Sequence, residues 1–174
     1  VLTAHLVQME VLPGRPEQNR DTLLSRVQQA RDQKADLIVF PEMAIPGYLI
    51  GDEWEREAFL RECIDCGEAV RAASQGLTVI FGNVAVDWQK RNEDGRVRKY
   101  NALFVARDGQ FLKPDKSRHN FVIKTLLPNY REFDESRHFS DSRKLALEDG
   151  VAVEDLIQPV SADGVSLGCL LCED

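Results

Sequence analysis

Residues 35–42 read Ala-Asp-Leu-Ile-Val-Phe-Pro-Glu, and this stretch decides the fold class. A short apolar run of this kind is typical of a parallel strand that is buried on both faces. Proline cannot donate to a strand ladder, so Pro41 ends the strand. Loops at the carboxyl ends of such strands are where open α/β sheets bind their ligands. Glu42 is therefore a candidate general base, and an ordinary surface glutamate is the alternative.

Helical and extended patterns alternate on both sides of this strand. Before it, we predict a strand over residues 2–8 and a helix that begins at Pro16, since proline suits the first helical turn. After it, we predict a helix over 53–74, a strand over 77–86, a charged loop over 89–98, a hairpin across Asp108-Gly109 and a second hairpin across Asp163-Gly164. Residues 113–140 show weak periodicity, and such stretches are usually functional or disordered. The order of elements predicts an α/β or α+β layered domain with a mixed sheet.

Composition and charge fit one globular domain and exclude several classes of protein. The chain has 174 residues, of which 43% are hydrophobic and 29% are charged, and its formal net charge is -7. Nucleic-acid-binding domains are usually basic, so we expect no nucleic-acid partner. No apolar run approaches the roughly 18–20 residues of a membrane span, and the first residues do not read as a signal peptide. We therefore expect a cytoplasmic protein without a membrane partner.

The four cysteines form two Cys-x-x-Cys pairs, Cys63 with Cys66 and Cys169 with Cys172. Zinc knuckles normally lie about 15–20 residues apart, whereas roughly 100 residues separate these pairs. Side chains alternate along a strand, so Cys169 and Cys172 on one strand would point to opposite faces. We expect reduced thiols and no metal site, with Cys63 and Cys66 in helix packing. Because the chain also has no glycine-rich phosphate loop, we expect no cofactor in this domain.

Two further side chains carry reactive groups in apolar surroundings. Cys172 ends an apolar stretch that we predict as a strand, so its thiol is a candidate nucleophile, and a buried structural cysteine is the alternative. Lys124 lies within residues 122–128, which read Val-Ile-Lys-Thr-Leu-Leu-Pro. Its ammonium must pair with an acid or a developing oxyanion, unless the side chain extends outward to solvent.

Three segments, in this order, resemble the signatures of the nitrilase (carbon–nitrogen hydrolase) superfamily. Residues 40–48 read Phe-Pro-Glu-Met-Ala-Ile-Pro-Gly-Tyr, and residues 168–174 read Gly-Cys-Leu-Leu-Cys-Glu-Asp. Between them, residues 124–139 read Lys-Thr-Leu-Leu-Pro-Asn-Tyr-Arg-Glu-Phe-Asp-Glu-Ser-Arg-His-Phe. This middle segment, with Tyr-Asn-Ala at 100–102, is similar to the glutaminase domain of glutamine-dependent NAD+ synthetases. The resemblance implies an αββα sandwich, of which residues 1–174 would form the N-terminal part, ending after the nucleophile and lacking the synthetase domain.

The resemblance also implies roles for single residues. Glu42 would take the thiol proton and later activate water, Cys172 would attack the side-chain amide carbon of glutamine to give a thioester, and Lys124 would stabilise the oxyanion. Further residues implied to serve the site are Tyr130 and Glu173, which would contact the polar end of glutamine, and Glu135, which would position Lys124 or water.

The same resemblance implies the partners of the domain. Ammonia would pass to a synthetase domain, which would use ATP and Mg to amidate nicotinic acid adenine dinucleotide to NAD+, and we expect a homo-oligomer. Residues 113–123 lengthen the approach to Lys124, either as a partner-contact loop or as neutral surface. The alternatives are a stand-alone amidase or nitrilase of the same superfamily and a catalytically inactive interaction module.

Overall fold

A mixed sheet of six strands forms the centre of the molecule, which a computed structural model describes over residues 1–174. The strands are β1 Ala4–Leu6, β2 Leu37–Val39, β3 Thr78–Arg91, β4 Val97–Arg107, β5 Gln110–Leu112 and β6 Val122–Ile123. Their order is β1-β2-β3-β4-β5, with β6 also paired to β4. The first three strands run parallel, and β4 is antiparallel to β3, β5 and β6. The predicted mixed sheet is confirmed.

Helices connect the parallel strands. They are α1 Pro16–Asp32, α2 Glu57–Ala72, α3 Glu135–His138, α4 Ser142–Asp149 and α5 Val153–Leu156, with a 3-10 helix over Gly51–Glu55. Parallel strands need crossover connections, and α1 and α2 supply the two that join β1 to β2 and β2 to β3. A separate hairpin of β7 Val160–Ala162 and β8 Val165–Leu167 follows α5. The predicted helix start at Pro16 is confirmed, and no helix has the length and apolar character that a membrane span requires.

The two faces of the sheet carry separate hydrophobic clusters. Side chains alternate along a strand, so Val79 and Phe81 of β3 pack with the helices in the larger cluster, whereas Ile80 between them faces the other side. On that other side lie Val160 of β7 and Leu171, a residue close to the end of the chain. The segment after β8 is therefore anchored on the sheet face away from the helices.

The predicted helix over 53–74 is wrong at its start. Residues 51–55 form the 3-10 helix, Arg56 is extended with φ -89° and ψ 109°, and α2 begins one residue later. Trp54 is 3% exposed and packs edge-on against Phe139, with ring centroids 4.9 Å apart. Trp54 also packs edge-on against Phe59 of α2, with ring centroids 6.0 Å apart, so the 3-10 helix is a separate element that shares the hydrophobic cluster of α2.

The predicted charged loop over 89–98 is too long, because β3 and β4 extend into it from both sides and leave residues 92–96 as the loop. Its charged side chains find partners elsewhere in the fold. Arg98 Nη1 lies 2.9 Å from Glu148 Oε1, and the neighbouring Lys99 Nζ lies 2.9 Å from Glu55 Oε2. These ion pairs allow charged residues to lie buried on a strand.

Both predicted hairpins are confirmed. Asp108 and Gly109 have φ of 49° and 75°, and Asp163 and Gly164 have φ of 50° and 75°. Two-residue hairpin turns with both φ values positive favour Asp-Gly, which is why the signal is visible in the sequence. The sequence predicts no element over residues 141–155, where α4 and α5 form.

Gly82 on β3 lies against the turn that follows β2. Its N–H donates to the carbonyl of Pro41 at 3.2 Å, and its carbonyl accepts from the N–H of Ile45 at 3.3 Å. A Cβ at this position would lie 2.3 Å from the backbone nitrogen of Met43 and 2.7 Å from the Cα of Glu42. Glycine therefore lets the turn that carries Glu42 approach the sheet closely.

We expect Gly82→Ala to lower the free energy of unfolding by about 3 kcal/mol, because the added methyl group meets backbone that cannot easily move. Gly168→Ala is the matched control, since a Cβ there meets nothing within 4 Å. That variant should stay within about 0.5 kcal/mol of wild type. Urea denaturation of the intact proteins measures both, and equal stabilities would contradict the close approach at Gly82.

Candidate active site

Glu42 lies on the turn that leaves β2, at the carboxyl end of the parallel strands. The N–H of Phe40 donates to the carbonyl of Ile80 at 2.8 Å, which keeps the chain paired with β3 up to Pro41. The side chain of Glu42 is 14% exposed. An anchored turn thus holds the carboxylate just below the surface.

Lys124 follows β6, and its ammonium is fully buried. Its backbone N–H donates to the carbonyl of Asn101 at 3.0 Å, so the pairing of β6 with β4 fixes its position. Its Nζ lies 2.7 Å from Glu42 Oε1 and 3.0 Å from Glu135 Oε1, with 0% of the side chain exposed. The side chain does not extend to solvent, and a buried cation needs such partners to replace its hydration.

Glu135 begins α3 and is the second carboxylate of the cluster. It is 4% exposed. Besides Lys124, its carboxylate accepts from the hydroxyl of Tyr48 at 3.2 Å and from Asn101 Nδ2 at 3.3 Å. The structure therefore brings Glu42, Lys124 and Glu135 into direct contact.

Burial and charge act on this cluster in opposite directions. Burial alone would lower the pKa of Lys124, but hydrogen bonds to Glu42 and Glu135 outweigh it and raise that pKa. Burial raises the pKa of the Glu135 carboxyl, and its hydrogen bond with Lys124 opposes this only in part. Burial also raises the pKa of the Tyr48 phenol, and the carboxylate of Glu42 adds to that effect. At neutral pH Lys124 is a cation and Tyr48 keeps its proton.

Two members of the cluster, Asn101 and Tyr48, carry no role in the sequence analysis. Asn101 is fully buried on β4, and its Nδ2 lies 2.7 Å from Glu42 Oε1 and 3.3 Å from the hydroxyl of Tyr48. Both residues stand within the segments 40–48 and 100–102 that carry the resemblance. The motifs contain them, but no local pattern marks an amide or a phenol as a partner of carboxylates.

Cys172 lies on a tight turn, and the strand predicted to end there is wrong, because β8 ends at Leu167. Cys172 is exposed and has a φ of 47°, in the left-handed region that few non-glycine residues adopt. The N–H of Asp174 donates to the carbonyl of Leu171 at 3.1 Å and closes the turn. Because Leu171 is 2% exposed, the turn is anchored on one side and presents the thiol on the other.

The side chain of Asp174 ties this turn to the segment after Lys124. Its Oδ1 accepts from the N–H groups of Thr125 and Leu126, each at 2.8 Å. The turn that carries Cys172 is therefore held beside the buried ion-pair cluster.

The cluster acts on the thiol of Cys172 through its charges. Partial burial raises the pKa of Cys172, the carboxylate of Glu42 raises it further and the ammonium of Lys124 lowers it. The net direction is upward, so the resting thiol is protonated at neutral pH and needs a base to become a nucleophile.

Tyr130 and Glu173 lie on the solvent side of the Cys172 turn and contact each other. The hydroxyl of Tyr130 donates to Glu173 Oε1. This hydrogen bond raises the pKa of Tyr130. Both side chains are exposed and thus accessible to a small molecule at the thiol.

Cys63 and Cys66 lie in α2 within the larger hydrophobic cluster, and the predicted helix packing is confirmed. Burial raises the pKa of Cys66 to about 11. No group of three or more His, Cys, Asp and Glu side chains has an arrangement that would hold a metal ion.

A family match over nearly the whole chain gives the class of the protein. The family model described as carbon–nitrogen hydrolase matches residues 3–174. The chain belongs to the carbon–nitrogen hydrolase family, and the predicted superfamily is confirmed.

Individual relatives and solved structures narrow the comparison within this family. The chain is 32% identical over 179 residues to the glutamine-dependent NAD+ synthetase of Xanthomonas campestris pv. campestris, covering 99% of this chain and 28% of that relative. The structure of glutamine-dependent NAD+ synthetase from Acinetobacter baumannii matches with a TM-score of 0.74 and 28% identity, over 99% of this chain and 28% of that one. An amidase from Nesterenkonia sp. shares the fold, with a TM-score of 0.63 and 17% identity over 80% of this chain and 48% of that one. The predicted nitrilase-type fold is confirmed, and the chain spans 28% of the length of these two synthetases.

The raised pKa of Glu135 predicts a pH-dependent stability. Because the folded-state pKa lies above the unfolded value of about 4.3, the folded protein loses stability as the pH rises through that raised pKa. Glu135→Gln removes this titration and keeps a hydrogen-bond acceptor for Lys124. We expect the free energy of unfolding of Glu135→Gln, minus that of wild type, to increase from about pH 4 to neutral pH in urea denaturation.

Glu132→Gln is the matched control, since it removes the same charge from an exposed glutamate of the same segment. If the difference for Glu135→Gln depends on pH no more than that of the control does, the raised pKa of Glu135 is contradicted.

Asp174→Ala should release the N–H groups of Thr125 and Leu126, whereas Asp174→Asn keeps a carbonyl acceptor for them. We expect these two amides to exchange their hydrogens about fivefold faster in the alanine variant, because a net hydrogen bond contributes about 1 kcal/mol. In the asparagine variant, exchange should stay close to wild type. Equal exchange in all three proteins would show that Asp174 does not hold the turn.

Proposed function

We propose that this domain hydrolyses the side-chain amide of glutamine through a thioester on Cys172 and releases ammonia. The observation that carries the proposal is the buried contact of Lys124 with Glu42 and Glu135 beside an exposed thiol. Glutamine is supported as the amide because the relatives are glutamine-dependent NAD+ synthetases. The overall reaction converts glutamine and water into glutamate and ammonia.

Cys172 supplies the nucleophile in the first half of the reaction. Glu42 accepts the thiol proton, and the thiolate attacks the amide carbon. The carbonyl oxygen becomes an oxyanion, which the ammonium of Lys124 stabilises. The backbone N–H groups of Cys172 and Glu173 donate to no protein acceptor and are a second source of hydrogen bonds for it. The protonated Glu42 then gives its proton to the departing nitrogen, which leaves as ammonia.

Water supplies the nucleophile in the second half. Glu42 accepts a proton from a water molecule, and the oxygen of that water attacks the thioester carbon. The carbon–sulfur bond breaks, the sulfur of Cys172 takes the proton back from Glu42, and glutamate is released. Lys124 stabilises the second oxyanion as it does the first. Glu135 holds Lys124 in place and exchanges no proton in either half.

Tyr130 and Glu173 are proposed to bind the polar end of glutamine. The carboxylate of Glu173 suits an α-ammonium group, since an ion pair with a hydrogen bond is stronger than a neutral contact. The hydrogen bond between the two side chains orients that carboxylate in advance.

The ammonia is proposed to serve a synthetase domain. The chain matches 28% of each of the two synthetases, so it corresponds to one part of such an enzyme. The remaining part would use ATP and Mg to amidate nicotinic acid adenine dinucleotide to NAD+. These relatives do not favour a stand-alone amidase or an inactive interaction module. A homo-oligomer and a cytoplasmic location stay predictions.

Cys172→Ala should reduce glutamine hydrolysis by the intact protein on the order of 10³-fold or more, because the nucleophile is lost. Cys169→Ala is the matched control. Cys169 is a half-buried thiol three residues away, and burial raises its pKa to about 11. The control should keep close to wild-type activity, measured as glutamate and ammonia formed.

Two results would contradict different parts of this proposal. Near-wild-type hydrolysis by Cys172→Ala would refute the thioester mechanism. Faster hydrolysis of a simple amide such as propionamide than of glutamine, with the same dependence on Cys172, would refute glutamine as the substrate and keep the mechanism.

A further inference from the structure

The side-chain amide of Asn101 lies at the centre of the polar cluster. Its Nδ2 lies 2.7 Å from Glu42 Oε1 and 3.3 Å from both Glu135 Oε2 and the hydroxyl of Tyr48. Its Oδ1 is buried and has no hydrogen-bond partner. A buried acceptor without a partner lowers stability and is rare in native proteins. The contacts of its nitrogen, above all those with the carboxylates of Glu42 and Glu135, therefore set the orientation of the amide.

The backbone of Asn101 also fixes the lysine. Its carbonyl accepts from the N–H of Lys124 at 3.0 Å. One residue of β4 thus holds both members of the Glu42–Lys124 ion pair, one through its side chain and the other through its backbone. A side-chain substitution at this position leaves the backbone contact in place.

Glu42 uses only one of its two oxygens in these contacts. Lys124 Nζ and Asn101 Nδ2 each lie 2.7 Å from Oε1, and the structure has no hydrogen bond from a protein donor to Oε2. Two donors on one oxygen set the rotation of the carboxylate and leave the other oxygen free. Because the amide is neutral, it fixes the carboxylate without a second positive charge, which would make Glu42 a weaker base.

We propose that Asn101 is a positioning residue that holds Oε1 of Glu42 and thereby presents Oε2 to the thiol of Cys172. This inference rests on the proposed function, in which Glu42 is the base. The titratable and charged groups that face Glu42 are Lys124, Glu135, Tyr48 and Cys172. Lys124 supplies the positive charge of this set, and Asn101 adds a donor that does not titrate.

Asn101→Leu removes the donor and the unpaired Oδ1 while it keeps the number of side-chain heavy atoms and the branch at Cγ. We expect kcat for glutamine hydrolysis to fall about 30-fold, with KM nearly unchanged. The acidic limb of the kcat/KM profile should move to higher pH, because a hydrogen bond that favours the charged carboxylate is lost. Asn101→Asp should move this limb further, since it adds a carboxylate beside Glu42.

Asn83→Leu is the matched control. Asn83 is buried on the neighbouring strand β3, where its Nδ2 donates to the carbonyl of Cys63 at 2.8 Å and its Oδ1 accepts from the N–H of Val84 at 2.9 Å. This variant should lose stability and keep the wild-type pH profile. If the Asn101 variants lose stability and also keep the wild-type profile, the proposal is overturned and Asn101 is only structural.

Alkylation of Cys172 by iodoacetamide separates this inference from the proposed function, because the reaction needs no substrate. In Asn101→Leu the pH of half-maximal alkylation should rise, since the thiol no longer meets an aligned proton acceptor, and in Asn83→Leu it should not change. Hydrolysis of glutamine by Cys172→Ala would sink the proposed function while the alkylation profile still reports on Asn101. An unchanged alkylation profile in both Asn101 variants would overturn the positioning role, whatever the glutamine assay shows.

Discussion

The ammonium of Lys124 is buried, and the carboxylates of Glu42 and Glu135 take the place of its hydration. Removing such an ion from water has a cost of several kcal/mol even after the protein relaxes, and hydrogen-bonded partners must offset it. Glu42 at 2.7 Å and Glu135 at 3.0 Å are those partners. The three residues come from the turn after β2, the end of β6 and the start of α3. None of these segments can move far without leaving a charge unpaired, so one electrostatic requirement fixes three parts of the chain.

The requirement also explains the shape of the backbone around the site. Glu42 leaves β2, yet its partners Asn101 and Lys124 belong to β4 and to the end of β6, so the turn must pass over β3, which lies between. The turn crosses β3 at Gly82. A Cβ there would lie 2.3 Å from the nitrogen of Met43, and the missing side chain is what allows the carboxylate to reach the lysine.

Features with a local signal could be predicted from the sequence, and features made by strand register could not. The two Asp-Gly hairpins and the exit at Pro41 depend on residues adjacent in the chain. Asn101 meets Glu42, 59 residues away, only because of the way β3 and β4 pair. Arg98 belongs to a segment that looks like a charged loop, because its partner Glu148 is 50 residues distant. Sequence motifs identify Glu42 as a residue of the candidate site, but its contact with Asn101 is visible only in the folded structure.

The turn at Cys172 follows from the same arrangement. A non-glycine residue at a φ of 47° is strained, and such strain persists only where the surroundings over-determine it. Here the surroundings hold the turn on both sides of Cys172. Leu171 is buried, and Asp174 accepts hydrogen bonds from the N–H groups of residues 125 and 126. Because Asp174 occupies those two amides, they are not free to bind an oxyanion. An ammonium has three protons, and the two carboxylates take two of those on Lys124. The third proton is free, and in the proposed mechanism it is the one that Lys124 donates to the oxyanion.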